Sequence, residues 1–226
     1  MKNNIVTLII LFIYCLTAHS QNPANINDNF PDFALKSLDG KEISNEQLKG
    51  KNTLVVFLRG KVGNHWCNLC HYQYAELAKY EQENQLREKL NMEIIFVLPY
   101  TADEVQHWVD IFPAQLDEIQ TWKYPEEGKK KKWMEKIPQI APYDIVYTNG
   151  DVPLPFPILV DENQELSKEL GLYTMFWSKS YVEQNIPCVF ALDTSGKVVF
   201  KYLSQNTMDR IPVQHLDKLL SALLVN

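Results

Sequence analysis

The sequence predicts a three-layer α/β domain, a central mixed sheet with helices on both faces. Three observations carry that expectation. Two short continuous apolar runs flank an amphipathic stretch, a later pair of apolar runs is joined through a glycine turn, and an amphipathic segment closes the chain. Apolar runs rich in β-branched and aromatic side chains are what strands covered on both faces need.

Taken in order, Asn29 to Leu38 is extended and turns at Asp39-Gly40 into a second short strand, an N-terminal hairpin. Thr53 to Leu58 reads as a central parallel strand. A loop holding Gly60 and Gly63 follows. From about Leu69 to Leu90 the pattern is helical, with Cys70, Tyr74, Leu77 and Leu90 near one face. Glu93 to Leu98 is the next buried strand, so strand, helix and strand form a right-handed crossover. That crossover puts the loop before the helix at the carboxyl edge of the sheet. From Thr101 to about Pro153 the pattern changes to two predicted helices, around Ala102 to Trp122 and Glu126 to Lys136, then a proline-rich stretch. The segment is too long for an ordinary connection and is expected to be a helical insertion at about 101–153. Phe156 to Asp161 is a strand, and Glu165 to Leu170 a short helix stopped at Gly171. Cys188 to Asp193 and Lys197 to Leu203 form an antiparallel hairpin through Thr194-Ser195-Gly196. A last helix presents Val213, Leu216, Leu219, Leu220 and Leu223.

Lys2, the twelve-residue apolar run Ile5 to Leu16 and the small residues before Gln21 have the layout of a secretory signal peptide. The run is shorter than the roughly 17 to 25 residues of a membrane-spanning helix. The expectation is a signal at 1–20, taking Cys15 with it, and a single domain at 21–226 that is exported, periplasmic or secreted, without stable membrane insertion. A formal charge of −6 argues against a nucleic-acid partner and against attraction to anionic lipid. The basic block Lys129 to Lys132, preceded by Glu126 and Glu127, reads as a solvated face.

Beyond the signal, three of the four cysteines remain: Cys67, Cys70 and Cys188. Two cysteines three residues apart close too small a ring to work well as a staple. Cys67 falls where the loop enters the helix, so unpaired amides and the positive end of the helix dipole face its sulfur. Such placement lowers a thiol pKa from about 8.5 to about 3.5 to 7.5 and leaves a reactive thiolate at neutral pH. Cys70, one turn inward, is placed to attack a mixed disulfide at Cys67. Cys188 is read as a small buried hydrophobe or a neighbour of the pair. His107, His215 and the tryptophans of the insertion are assigned to surface or packing, and Arg59 to the surface or the rim of the site.

Trp66 before the pair, and the segment Asn185-Ile186-Pro187-Cys188-Val189-Phe190, resemble the thioredoxin superfamily. In that family an X-cis-Pro step lies against the cysteine pair, and Pro187 matches it. More narrowly the chain is similar to the redoxin branch, the alkyl hydroperoxide reductase and thiol-specific antioxidant relatives. The matching stretches are Phe30 to Leu35, Leu38 to Lys41, Arg59-Gly60 ahead of Trp66-Cys67 with Gln73, Phe156 to Asp161 through Gly171, and Phe190 to Asp193 with Gly196 to Val198. The resemblance implies a thioredoxin-like fold. The peroxidase version of the family uses Pro-x-x-x-Thr-x-x-Cys plus an arginine. Laid on this chain, that motif puts the reacting cysteine at Cys70, with Cys67 at the threonine, Gly63 at the proline and Pro187 at the arginine.

The resemblance thus implies a thiol-disulfide oxidoreductase: Cys67 as attacking thiolate, Cys70 as resolving thiol, Ile186 and Pro187 as a docking edge, Trp66 shaping the entrance. No cofactor beyond the Cys67–Cys70 couple and no metal are required. Electrons would come from a redox partner protein and go to thiol or disulfide client proteins. Three other readings stay open: a thiol peroxidase, copper or zinc held by Cys67, Cys70 and His65 or His71, and haem attachment, because Cys67 to His71 also spells Cys-x-x-Cys-His.

Overall fold

Apolar residues on alternating sides of the predicted central strands sort into two cores. The computed structural model describes residues 24–147 and 152–224. The expected signal at 1–20 lies outside them, as do residues 148–151 of the insertion. Strands β1 (Ala34–Ser37) and β2 (Glu42–Ser44) form the N-terminal hairpin, followed by the short helix α1 (Asn45–Leu48) and strand β3 (Asn52–Phe57). After β3 come a small ribbon, β4 (Lys61–Val62) with β5 (His65–Trp66), helices α2 (Asn68–Asn84) and α3 (Leu86–Lys89), and strand β6 (Met92–Leu98). The insertion supplies α4 (Ala102–Asp110), α5 (Phe112–Lys123), a 3-10 turn at Lys132–Lys136 and α6 (Ile137–Ile140). The chain returns through β7 (Ile158–Val160), α7 (Glu165–Glu169), a ribbon of β8 (Tyr173–Trp177) and β9 (Ser180–Asn185), then β10 (Cys188–Leu192), β11 (Val198–Leu203) and α8 (Val213–Leu224).

Seven strands make one mixed sheet in the order β11-β10-β3-β6-β7-β1-β2. β3, β6 and β7 run parallel, while β10 lies antiparallel on β3 and β1 antiparallel on β7. Leu54, Val56, Ile94 and Phe96 face one core with α2, α4, α5 and α8. Val55, Phe57, Ile95 and Val97 face the other, with Phe30, Phe190 and Leu166 and Leu170 at α7. Every residue of β3 is buried, and each fully buried Val, Leu, Ile or Phe is worth about 1.5 to 3 kcal/mol. The continuous apolar runs are therefore the sheet's centre.

Three boundaries differ from the expected ones, each for a local reason. Gln85 adopts a left-handed conformation (φ 50°), so the stretch from Leu69 to Leu90 is two helices, joined where Arg87 Nε donates to Glu81 Oε1 at 2.8 Å. The helix expected from Ala102 to Trp122 breaks at Ile111, because Pro113 in the first turn of α5 cannot donate back into α4. Within Glu126 to Lys136 only the last five residues coil. Gly128 sits at φ 78°, and four successive lysines gain nothing from stacking their charges on one turn.

The β8–β9 ribbon was not expected at all. Ser178 and Lys179 both have positive φ, the geometry of a tight two-residue hairpin, yet they lack the Asn-Gly or Asp-Gly signal that announces one. This ribbon packs beside the exit of β3 and brings Gln184 onto Gly60.

Candidate active site

The approach to Cys67 is set by Arg59 and Gly60, where β3 ends. Gly60 holds φ 82°, and a β-carbon there would collide with the Tyr100 ring. Its carbonyl accepts the Cys67 amide at 2.8 Å. Tyr100, just after β6, fastens the same turn: its hydroxyl accepts from the Lys61 amide at 3.0 Å and donates to the Glu183 carbonyl at 2.7 Å. The loop from Gly60 to Trp66 is thus a folded ribbon, with Lys61 paired to Trp66. Trp66 is buried edge-on against Tyr100, and Lys61 Nζ stands over both rings before reaching Glu104 at 2.6 Å.

Cys67 is the N-cap of α2, in extended conformation, and its carbonyl accepts the Cys70 amide at 2.9 Å. Cys67, Cys70 and Cys188 are free thiols. The two sulfurs of the pair differ sharply. A hydrogen bond from the Cys70 thiol, opposed by burial and aided by the charges of Arg210 and Arg59, holds the Cys67 thiol below its ordinary range. Burial first, then the hydrogen bond to Cys67, pushes the Cys70 thiol well above it. The pair thus favours the charge on Cys67 and the proton on Cys70.

The positive charge comes from residues outside the cysteine motif. Arg59 is fully buried and, among the described residues, faces no carboxylate: Nε donates to Gln184 Oε1 at 2.7 Å, Nη1 to Thr207 Oγ1 at 2.6 Å, and Nη2 to the Trp177 carbonyl at 3.2 Å. An arginine in such a place stays charged, and burial pulls its pKa down while Cys67 and Cys70 pull it up. Arg210 donates Nη1 to the Asp209 carbonyl at 2.8 Å, and its Nε and Nη2 are buried without a partner among the described residues. Of the two, the sequence singled out only Arg59. Arg210, 140 residues beyond Cys70, had no motif to announce it.

Cys67 lines a pocket of about 270 Å³. Trp66, Leu69 and His65 line it, together with Met208 and Thr207. The insertion closes it with Glu118, Trp122, Trp133 and Ile137. Trp122 and Trp133 meet edge to face at 5.1 Å, and Glu118 is tied to α2 by Asn68 Nδ2 at 2.7 Å. A larger hollow of about 520 Å³, beside Leu38 and Phe156, holds no cysteine.

Other expected residues fall elsewhere. Ile186 and Pro187 lie between Asn185, whose amide donates to the Arg59 carbonyl at 3.1 Å, and Cys188, which is paired with Phe57. They therefore flank the end of β3. The Ile186–Pro187 peptide is trans, a correction to the expected cis step. The extended run from β9 into β10 takes the isomer that X-Pro bonds prefer by about 0.5 to 1 kcal/mol. The Ile186 amide is already donated to the Leu172 carbonyl at 2.8 Å, and the Pro187 carbonyl accepts Ser204 N at 2.9 Å. Those two groups are not open to an added strand. Cys188 belongs to the core on the opposite face of the sheet from Cys67 and Cys70, with its thiol pushed up to about 12 by burial. It is the buried hydrophobe of the two readings.

His71 is fully buried, stacked on Trp108 at 4.2 Å and edge-on to Phe112. Nδ1 faces the Cys67 carbonyl at 3.2 Å and Nε2 the Trp108 carbonyl at 2.9 Å, and burial pulls its pKa down to about 4. A histidine packed this way has no nitrogen free for an axial ligand, so the residues do not fit a haem attached at Cys67 and Cys70. Among the described residues no three His, Cys, Asp or Glu side chains gather as a metal site.

The curated relatives include the thiol-disulfide oxidoreductase ResA of Bacillus thuringiensis subsp. konkukian, 25% identical over 199 residues, covering 83% of this chain and 100% of that protein. Among solved structures, AhpC of Mycobacterium tuberculosis superposes with a TM-score of 0.58 at 19% identity, covering 89% of this chain and 93% of the other. A DsbE thiol:disulfide interchange protein from Chlorobium tepidum gives 0.53 at 16%, covering 89% and 99%. These likenesses establish the thioredoxin-like fold, and no helix of the described residues is long and apolar enough to cross a membrane. With the AhpC/TSA family pattern matched from residue 26 to residue 201, through the sheet, the cysteine pair and the insertion alike, the chain belongs to the AhpC/TSA family.

Proposed function

We propose that the protein is an exported thiol-disulfide oxidoreductase working through Cys67 and Cys70. The observation that carries this reading is the division between the two sulfurs: Cys67, ionised more easily than an ordinary thiol, lines a pocket, while Cys70, sealed and protonated, sits one turn behind it. The Cys67 thiolate attacks a client disulfide, its sulfur–sulfur bond breaks, and the first client thiolate leaves and takes a proton. Cys70 then loses its proton and attacks the Cys67 sulfur, closing the Cys67–Cys70 disulfide and releasing the second client thiol. Two electrons have passed to the client. A dithiol partner protein returns them to the pair. The relationship to ResA, a thiol-disulfide oxidoreductase, supports the same chemistry, and the signal-like layout of residues 1–20 supports export.

For a peroxidase the family pattern would make Cys70 the reacting sulfur, yet Cys70 is the fully buried one with the raised pKa. The test is reduction of insulin by the purified protein with dithiothreitol. Cys67→Ser is expected to abolish it, and Cys70→Ser to trap a client on Cys67 as a mixed disulfide seen by intact mass. Full activity in Cys67→Ser, or hydrogen peroxide consumption that depends on Cys70 alone, would overturn the reading.

A further inference from the structure

The insertion leaves a feature that thiol exchange by itself does not require: it brings a tryptophan pair to the pocket that Cys67 lines. We infer that this pocket is a specificity site. It takes the large apolar or aromatic side chain standing beside the cysteine of a polypeptide disulfide. The inference rests on the proposed function and deepens it by naming the substrate class.

The lining carries the argument. Trp66 and Leu69 come from the cysteine motif, Trp122, Trp133 and Ile137 from the insertion, and Met208 from the loop before α8. Aromatic rings, a methionine and aliphatic chains dominate, and such surfaces gain free energy by excluding water from an apolar partner. A volume of about 270 Å³ is suited to one large side chain and lies just below the roughly 300 Å³ at which sites for whole small molecules begin. Trp133 is still 38% exposed, so its face has area left to cover.

The polar groups argue against small anionic substrates. Besides Cys67, the ionisable side chains lining the pocket are His65 and Glu118, and Glu118 is an exposed carboxylate. A carboxylate there disfavours an anionic thiol such as glutathione, whose own carboxylates would need cations. The Asn68 amide is spent on Glu118, and the Thr207 hydroxyl lies between Arg59 Nη1 and Ser178 Oγ, 2.9 Å away. Neither is free to orient a peroxide. A client polypeptide instead brings its own neighbouring side chain, which enters the pocket as its sulfur meets Cys67. The insertion thereby selects clients without touching the reacting atoms.

The experiment uses disulfide-linked homodimers of one short peptide, identical except for Trp, Leu, Ser or Asp beside the cysteine. They are reduced by the whole protein with dithiothreitol as electron source. Wild type is expected to favour the Trp and Leu peptides over the Ser and Asp peptides by about tenfold or more in kcat/KM. Trp133→Ala, and independently Met208→Ser in the loop before α8, are expected to collapse that ratio. An equal rate for all four peptides, or a ratio that survives in both variants, overturns the inference. Reduction of hydroxyethyl disulfide by wild type tests the chemistry separately. If that neutral disulfide is not turned over, the thiol-exchange reading fails. The pocket is then judged by quenching of tryptophan fluorescence with S-methylated peptides: binding that needs the apolar residue and is lost in Trp133→Ala sustains it, and equal or absent binding ends it.

Discussion

Arg59 Nε donates to Gln184 Oε1 at 2.7 Å inside the protein, joining residues 125 apart in sequence. Gln184 is itself oriented, because its Nε2 donates to the Ser180 and Val182 carbonyls at 3.0 Å and so turns its oxygen toward the guanidinium. The β8–β9 ribbon therefore works as a bracket that fixes a buried positive charge behind the cysteine pair.

Arg59→Gln removes that charge. The Cys67 thiolate loses one of the groups that favour it, so its pKa is expected to rise by about one unit. The pH dependence of carbamidomethylation by iodoacetamide measures it. A purely structural arginine would change stability and leave the midpoint where it was, and that result would remove Arg59 from the account of Cys67.

Gly60→Ala asks a left-handed backbone to carry a β-carbon aimed at the Tyr100 ring. Strain and overpacking together are expected to cost about 2 to 4 kcal/mol in urea denaturation. Because the Gly60 carbonyl holds the Cys67 amide, thiolate reactivity should fall too. Tyr100→Ala, which opens the space, should cost less stability in the Gly60→Ala background than in wild type if the collision is the cause.

Two buried groups in α2 tilt stability with pH in opposite directions. Burial pulls His71 from 6.5 down to about 4, so between those values the unfolded chain holds a proton that the folded chain lacks, and stability rises with pH. Burial pushes Glu76 from 4.5 up to about 8, so there the folded chain holds the extra proton, and stability falls with pH. From pH 4.5 to 6.5 the two offset each other, and from 6.5 to 8 the Glu76 loss stands alone. Glu76→Gln is expected to be more stable than wild type by on the order of 3 kcal/mol at pH 8 and little different at pH 4. His71→Phe should lose stability steadily from pH 4.5 to 8. Parallel wild-type and variant curves across urea titrations at these pH values would contradict both assignments.

Cys188→Ala tests the third cysteine. It lies across the sheet from the pair, so insulin reduction should stay within about twofold of wild type, while stability drops by about 1 kcal/mol from lost packing. A large loss of turnover without unfolding would place Cys188 in the redox chemistry.

The central strands were legible because burial on both faces requires an unbroken apolar run, a pattern local to each segment. The cysteine motif at the mouth of a helix was legible for the same reason. The ribbon at Ser178-Lys179 was not, since those residues take positive φ without the usual turn chemistry, and the ribbon is held by Arg59 and Gly60 through Trp177 and Gln184. Pro113 could have been read as the break between α4 and α5, and Gly128 as the end of regular helix in the lysine-rich stretch.

By itself the sequence determined the seven strands of the central sheet, and the cysteine pair with its place at a helix start, because periodicity and helix-end chemistry depend on near neighbours. Only the tertiary structure decided how far burial sets Cys70 apart from Cys67, which arginines face the pair, which side of the sheet holds Cys188 and what lines the pocket. Those are matters of burial and of charges brought within reach from remote segments, and a side chain's desolvation is set by everything packed around it.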